Sequence, residues 1–320
     1  MNIEEYIAAM DPELRPGFQQ VRTIFSNLPR DLVTARKLMT EMLATPPPEN
    51  GRVKVENRRI AGPVGAPDVP IRIYTPGART GLVPGLLYIH GGGFTMGNLE
   101  TEDVHCRYIV EEVGCVVVSV DYRLAPEHPF PAAPEDCYAA LTWLAGNAES
   151  LGIDSSRIGV RGGSAGGGLC AAVALMARDR KQVKLIFQMP LYGCLDDRHT
   201  TPSSYQMADA EMLWGRPASL LGWKAYLGED HEGSVSPYAA PARAEDLSGL
   251  PPAYLMIGEL DLMRDENIEY AMRLLQAGVP TELHVYPGGF HAFEGMVPQA
   301  AVSIRAVKEC TEALKRGLWS

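Results

Sequence analysis

The stretch Arg161-Gly162-Gly163-Ser164-Ala165-Gly166-Gly167-Gly168 restricts the fold more than any other part of the chain. A short apolar run, Ile158-Gly159-Val160, precedes it, and an Ala/Leu-rich run from Leu169 to Ala177 follows. The order is therefore strand, glycine-flanked serine, helix, the setting in which a G-x-S-x-G pattern forms a nucleophile elbow. So tight a turn presses strand and helix backbones together, and Gly162 and Gly166 fit beside the serine because they carry no Cβ. The turn lifts the Ser164 hydroxyl above the sheet edge, where the helix N-terminus behind it favours negative charge. Standing alone, the same pattern also describes a Gly/Ala-rich turn with an incidental serine. The reading depends on what surrounds it.

Strands and helices alternate through the rest of the chain. Val53 to Arg59 and Val69 to Tyr74 are short alternating runs joined by a Gly/Pro-rich link, which predicts an antiparallel hairpin. Apolar runs at 85–90, 115–120, 158–160, 185–189, 253–257 and 281–286 predict further strands. Helical stretches at 101–112, 134–144, 265–277 and 301–314 fall between or after them. This alternation predicts an α/β fold with a mostly parallel sheet covered on both faces. Residues 1 to about 45 hold amphipathic segments, including a helix from Leu32 to Leu43, and end at Pro46-Pro47-Pro48. They fit either over a site, as part of a cap, or against the back of the sheet. Residues 195–230 break the rhythm, and an insertion between strand and helix at the carboxyl edge of a parallel sheet often shapes a pocket. The expected organisation is one domain over 1–320, with a cap from about 1–45 and 195–230.

The chain has 320 residues, 46% of them hydrophobic, enough for one large core. A formal charge of −10 with no basic block argues against nucleic acid as a partner. No basic, apolar leader opens the sequence, and no window of 18 apolar residues suggests a membrane span. The six cysteines are scattered without a C-x-x-C pair or zinc-like spacing, so they read as reduced core residues of a cytoplasmic protein. No metal site is expected.

Three further elements supply chemistry around Ser164. His90-Gly91-Gly92-Gly93-Phe94 directly follows a buried strand, and consecutive glycines let backbone N–H groups point inward at a developing oxyanion. A phosphate loop would call for a lysine or a G-x-G-x-x-G layout, and neither is present. A serine also needs a base, and the base needs a partner that fixes its tautomer. His291, in the loop Pro287-Gly288-Gly289-Phe290-His291-Ala292-Phe293 after the last strand, is the best placed histidine. His90 belongs to the glycine motif, where it orients the loop together with Gly91. For the carboxylate, Asp261 lies nearest the end of the 253–257 strand; Asp265 and Glu259 are lesser candidates, and Asp265-Glu266 fit the first turn of the next helix. Ser164, Asp261 and His291 then stand in the chain order of α/β-hydrolases.

With these residues in place, the chain resembles the bacterial hormone-sensitive-lipase-like family of esterases. The shared features are His90-Gly-Gly-Gly93, Asp121-Tyr-Arg-Leu-Ala-Pro-Glu127 with Phe130-Pro-Ala-Ala133, Ser164-Ala-Gly-Gly167, and Asp261 with Asp265-Glu266. The similarity runs from about Tyr74 to Phe293. It implies an α/β-hydrolase fold with a helical cap and a Ser164–His291–Asp261 triad. It further implies an oxyanion hole from the backbone N–H groups of Gly92, Gly93 and Ala165, and a supporting role for Tyr122 to Glu127. The implied activity is that of a serine carboxylesterase acting on small-molecule esters with short to medium acyl chains, without metal or organic cofactor. Homodimers through the edge of the last strand are common in that family, so a homodimer is also implied. Two positions depart from the pattern. Gly163 stands where Asp, Glu or Thr is frequent, and Ala292 follows the histidine where glycine is usual.

Two alternatives bear on function. Some plant hormone receptors resemble the family without being catalysts, but they lose the triad histidine, which His291 supplies here. An amidase, a lactonase or a carbohydrate deacetylase would keep the chemistry and change the substrate, because fold and triad fix the reaction class alone. Trp214, Trp223 and Tyr205 either line a pocket or pack the cap's own core.

Overall fold

A computed structural model describes residues 1–29, 31–43, 51–209, 212–228 and 234–320. The parts of the expected cap at 30, 44–45, 210–211 and 229–230 lie outside the described residues. Eight strands form one sheet in the order β1-β2-β4-β3-β5-β6-β7-β8. They are β1 (Val53–Ile60), β2 (Val69–Pro76), β3 (Val83–Ile89), β4 (Val116–Val120), β5 (Ile153–Gly163), β6 (Phe187–Leu191), β7 (Ala253–Leu260) and β8 (Thr281–Phe290). The first two form the expected antiparallel hairpin, and β2 also runs antiparallel to β4. From β4 to β8 every neighbour is parallel. Every residue of β3 and β4 is buried, as parallel strands covered on two faces require. The edge strand β1 exposes all but its end residues.

Helices cover both faces. α4 (Asp103–Val113), α5 (Ala132–Gly146), α6 (Ala165–Arg180), α9 (Arg264–Gln276) and α11 (Ala301–Trp319) are the main ones. Side chains alternate along a strand, so positions an odd number apart face opposite ways. On β5, Gly159 lies against Leu318 of α11, while Gly162 lies against Gly166 of α6. The Trp319 indole donates to the Val113 carbonyl at 2.9 Å and ties α11 to α4 on the first of these faces.

Among the described residues three helices precede the sheet: α1 (Ile3–Ala9), α2 (Arg15–Ser26) and α3 (Leu32–Leu43), the last with the bounds expected from sequence. They reach the carboxyl ends of the parallel strands. The Tyr6 hydroxyl donates to the Leu260 carbonyl, the Asp11 amide donates to the Gly288 carbonyl, and Phe18 packs edge-on against Phe290. The segment expected to be irregular holds two helices, α7 (Pro202–Gln206) and α8 (Arg216–Leu227). Neither carries a clean apolar stripe, because Trp223 and Tyr226 are buried while Leu220 and Leu221 are exposed. A short α10 (Phe293–Met296) follows β8. No helix among the described residues is long and apolar enough to cross a membrane.

Candidate active site

Four loops meet at the carboxyl end of the sheet, where parallel α/β folds place their ligands. They follow β3, β5, β7 and β8. Ser164 caps the turn between β5 and α6 with φ 58° and ψ −124°, a strained conformation for a residue with a Cβ. Its backbone is held from both sides, the amide donating to Leu191 and the carbonyl accepting from Gly168 and Cys194, each at 3.0 Å. A Cβ on Gly162 or on Gly166 would run into the backbone facing it, so the turn closes only with glycine at both places.

The His291 Nε2 lies 3.0 Å from the Ser164 hydroxyl, and its Nδ1 lies 2.7 Å from an Asp261 carboxylate oxygen. A carboxylate can only accept, so Nδ1 carries the proton and Nε2 is free to accept the serine proton. Asp261 is fully buried; its other oxygen accepts the Met263 amide at 3.0 Å. Ser164 and His291 are each 9% exposed, enough to reach the cavity above them. The rival acids are committed elsewhere. Glu259 accepts the Gly288 amide and steadies the histidine loop; Asp265 accepts the Ser203 amide. Glu266 is buried and accepts the Leu195 and Asp196 amides, and burial holds its carboxyl well above the usual carboxylate range.

The glycine loop after β3 lies beside Ser164. Gly92 and Gly93 adopt φ 113° and 59°, and the Gly92 carbonyl accepts the Thr95 and Met96 amides, which curls the loop. Gly91 packs on the backbone of Gly163, and Ala165 opens α6. The His90 Nδ1 is 2.8 Å from the Gly91 carbonyl and therefore carries the proton, while its ring stacks on Tyr122 at 4.1 Å. Burial pushes the imidazole below its ordinary pKa and keeps it neutral. The Tyr122 hydroxyl donates to the His90 carbonyl, and Ala125 donates to Phe94, so the segment after β4 buttresses the loop. Arg36 of α3 spans both, donating to the Thr95 and Ala125 carbonyls and pairing with Glu127.

These groups open on a cavity of roughly 1270 Å³. Phe25 of α2, Met39 of α3 and Trp214 line it, together with Ser164 and His291. The three aromatic residues of the insertion have different fates. Trp214 lies over Gly93 and stacks loosely on His291; Trp223 is buried against Phe94 and Tyr226; Tyr205 is 60% exposed beneath Arg216. Residues that sequence reasoning did not single out also line the site. Tyr192 meets the His291 ring edge-on at 5.2 Å and donates to Glu294 at 2.6 Å. Its position after the β6 strand was the one available signal. Among the described residues no group of three or more His, Cys, Asp or Glu could hold a metal ion, and all six cysteines are free and buried.

Comparison with known proteins agrees with this architecture. Residues 86–295 match the family described as having the alpha/beta hydrolase fold. The chain is 38% identical over 308 residues to Esterase LipI of Mycobacterium tuberculosis, covering 94% of this chain and 87% of that protein. It is likewise 38% identical over 291 residues to an arylesterase of Saccharolobus solfataricus, covering 89% and 92%. Among solved structures, a bacterial heroin esterase superposes with a TM-score of 0.91 at 47% identity, covering 98% and 99% of the two chains. With strand order, elbow and relatives in agreement, the chain belongs to the α/β-hydrolase fold family, in its hormone-sensitive-lipase-like branch of esterases.

Proposed function

We propose that this chain, a carboxylic ester hydrolase by family, cleaves short- to medium-chain acyl esters through an acyl-enzyme on Ser164. The observation that carries the reading is the unbroken relay from Ser164 through His291 to Asp261, at 3.0 and 2.7 Å. His291 Nε2 takes the hydroxyl proton as Oγ attacks the ester carbonyl carbon, and the carbonyl π electrons move onto oxygen. The backbone N–H groups of Gly92, Gly93 and Ala165 receive that oxyanion, in a water-poor site where such donors count most. Collapse of the tetrahedral intermediate expels the alcohol, which takes the proton from His291. Water then attacks the acyl-enzyme by the same steps and releases the acid. Asp261 holds the productive tautomer throughout, and His90 and Gly91 hold the shape of the glycine loop.

The helices α1–α3 and the segment 195–230 form the cap of a single catalytic domain in this reading; the cavity walls contributed by α2, α3 and Trp214 support it. Six buried thiols with no disulfide fit a reducing, cytoplasmic setting. A homodimer would form along β8, which ends the sheet and is partly or fully exposed from Thr281 to Val285. Hydrolysis of a p-nitrophenyl ester series from acetate to palmitate, with Ser164→Ala beside the wild type, tests the assignment. A rate that peaks at short chains and vanishes in the variant is expected. An unchanged rate in the variant would mean a different nucleophile.

A further inference from the structure

The cavity has an inner end, between the sheet and the α4–α11 pair, that the relay does not use. Arg161 lines it, three residues before Ser164 on β5. In the sheet Arg161 stands opposite Tyr88 of β3, and its guanidinium lies 5.3 Å from the centre of that ring. Among the described residues no oxygen accepts a hydrogen bond from this guanidinium, and its Nε is buried without a partner. A buried cation without an anion is costly unless something compensates it.

The acids nearby make their hydrogen bonds to other groups. Glu102 accepts the Tyr88 hydroxyl at 2.7 Å and pairs with His105 at 3.2 Å. That contact raises the His105 pKa and lowers that of Glu102, so the two form their own ion pair. Glu294 is bound by the Tyr192 hydroxyl, its other oxygen is buried without a partner, and burial pushes its carboxyl up toward the neutral form. Arg161 is left without a hydrogen-bonded carboxylate in this chamber, among the described residues.

Gly163 opens the chamber to the nucleophile. Positions 161 and 163 face the same side of the sheet, so a side chain at 163 would stand between Arg161 and Ser164. A Cβ there would come within 3.0 Å of the Tyr192 hydroxyl. The backbone at Gly163 lies outside the left-handed region, so space, not conformation, is what the glycine supplies. An aspartate placed at this position would stand on the same face as Arg161, where it could neutralise it.

We propose that the chamber opened by Gly163 binds a carboxylate carried by the substrate itself, received by the Arg161 guanidinium. A planar guanidinium matches a carboxylate with two parallel N–H···O bonds. The substrate class is an ester that bears a carboxylate a short distance from the scissile bond. The carboxylate belongs either to a dicarboxylic half-ester or to the alcohol. This rests on Ser164 acting as an ester nucleophile.

The test compares each carboxylate ester with its uncharged amide. Monoethyl glutarate is set against ethyl glutaramate for the acyl side, and 4-acetoxybenzoate against 4-acetoxybenzamide for the alcohol side. In the wild type, kcat/KM for the carboxylate should exceed that for the amide by about tenfold or more in one pair. That ratio should fall at least about tenfold in Arg161→Met and in Gly163→Asp, and be partly restored in Arg161→Lys. The wild-type comparison stands even where a variant fails to fold. Amides preferred or equal in both pairs, with ethyl butyrate hydrolysed, would overturn the subsite alone, as would a ratio unmoved by Arg161→Met. If ethyl butyrate is also untouched, the esterase reading falls and this one falls with it.

Discussion

Removing the Arg36 guanidinium should loosen α3 without unfolding the domain. Arg36 donates to the Thr95 carbonyl at 2.7 Å and to the Ala125 carbonyl at 2.9 Å, both partly buried. Each such bond is worth about 1 kcal/mol net. The pair with Glu127 is bidentate, but Glu127 is 47% exposed, so solvent screening leaves about 0.5 kcal/mol. Arg36→Met should therefore cost local stability of about 2.5 kcal/mol, a change of about seventyfold in the opening equilibrium of α3. One further tie, from the Asn98 amide to the Thr40 hydroxyl at 2.7 Å, keeps the helix in place most of the time. Native-state hydrogen exchange reads this directly: amides of Leu32–Leu43 should exchange about seventyfold faster, while those of α11 stay unchanged. KM for a p-nitrophenyl ester should rise, since Arg36, Met39 and Thr40 line the cavity. The hydrogen bond from Arg36 is the main reason the Glu127 carboxyl is lowered to about 2. A lowered carboxyl stabilises fully above its unfolded pKa of about 4.3 and loses that stability as pH falls toward 2. The difference between wild type and variant should therefore persist at pH 5 and shrink only in stronger acid. Equal α3 exchange in the two proteins at neutral pH would refute the reasoning.

Three other outcomes follow from the site. Asp261→Asn should lower kcat by about 10⁴-fold with a similar KM, because an amide facing Nδ1 favours the wrong histidine tautomer; steady-state kinetics with a circular dichroism control decide this. Gly93→Ala combines a left-handed φ of 59° with a Cβ that meets Trp214, and it should cost about 10²- to 10³-fold in kcat if the Gly93 amide serves the oxyanion. A change confined to KM would remove that amide from the assignment. Glu266→Gln keeps an acceptor for the Leu195 and Asp196 amides and removes a carboxyl whose pKa burial has raised. A raised carboxyl stabilises below its unfolded pKa and loses that stability as pH rises through the folded value. The variant should thus match the wild type in Tm near pH 4 and exceed it at pH 8; a constant difference would contradict the raised pKa.

The sheet was legible in the sequence wherever burial is two-sided, as in β3 and β4, because an apolar run is then the only workable pattern. Strand ends were harder. β5 begins at Ile153, five residues before its apolar part, because Ile153 pairs with Val83 across an irregular register that no hydrophobic run marks. The insertion resisted reading for a different reason. Its helix α7 is very short and leaves Tyr205 exposed, and α8 buries Trp223 and Tyr226 against Phe94, so the pattern follows the shape of the glycine loop and not a helical period. The N-terminal helices were visible as amphipathic, but their place was not. It is fixed by three contacts, Tyr6 to Leu260, Asp11 to Gly288 and Phe18 to Phe290, whose partners lie more than two hundred residues away.

The candidate reacting groups were more legible than their surroundings because backbone geometry limits which residues can hold such positions. A serine at a left-handed turn needs glycine neighbours, and a curled donor loop needs consecutive glycines, so both leave marks in the sequence itself. Arg161 leaves no such mark. An arginine ending an apolar strand reads as a solvated end, and its partial burial arises from the register that sets Tyr88 beside it and from α4 and α11 closing over that face. Gly163 likewise gains meaning only once Tyr192 is known to occupy the space a side chain there would need. Catalytic power in such a fold is thus written locally, in turns. In the proposed subsite selectivity depends instead on packing between elements, where the space left by Gly163 and the cation two residues before it on β5 decide what the same nucleophile meets.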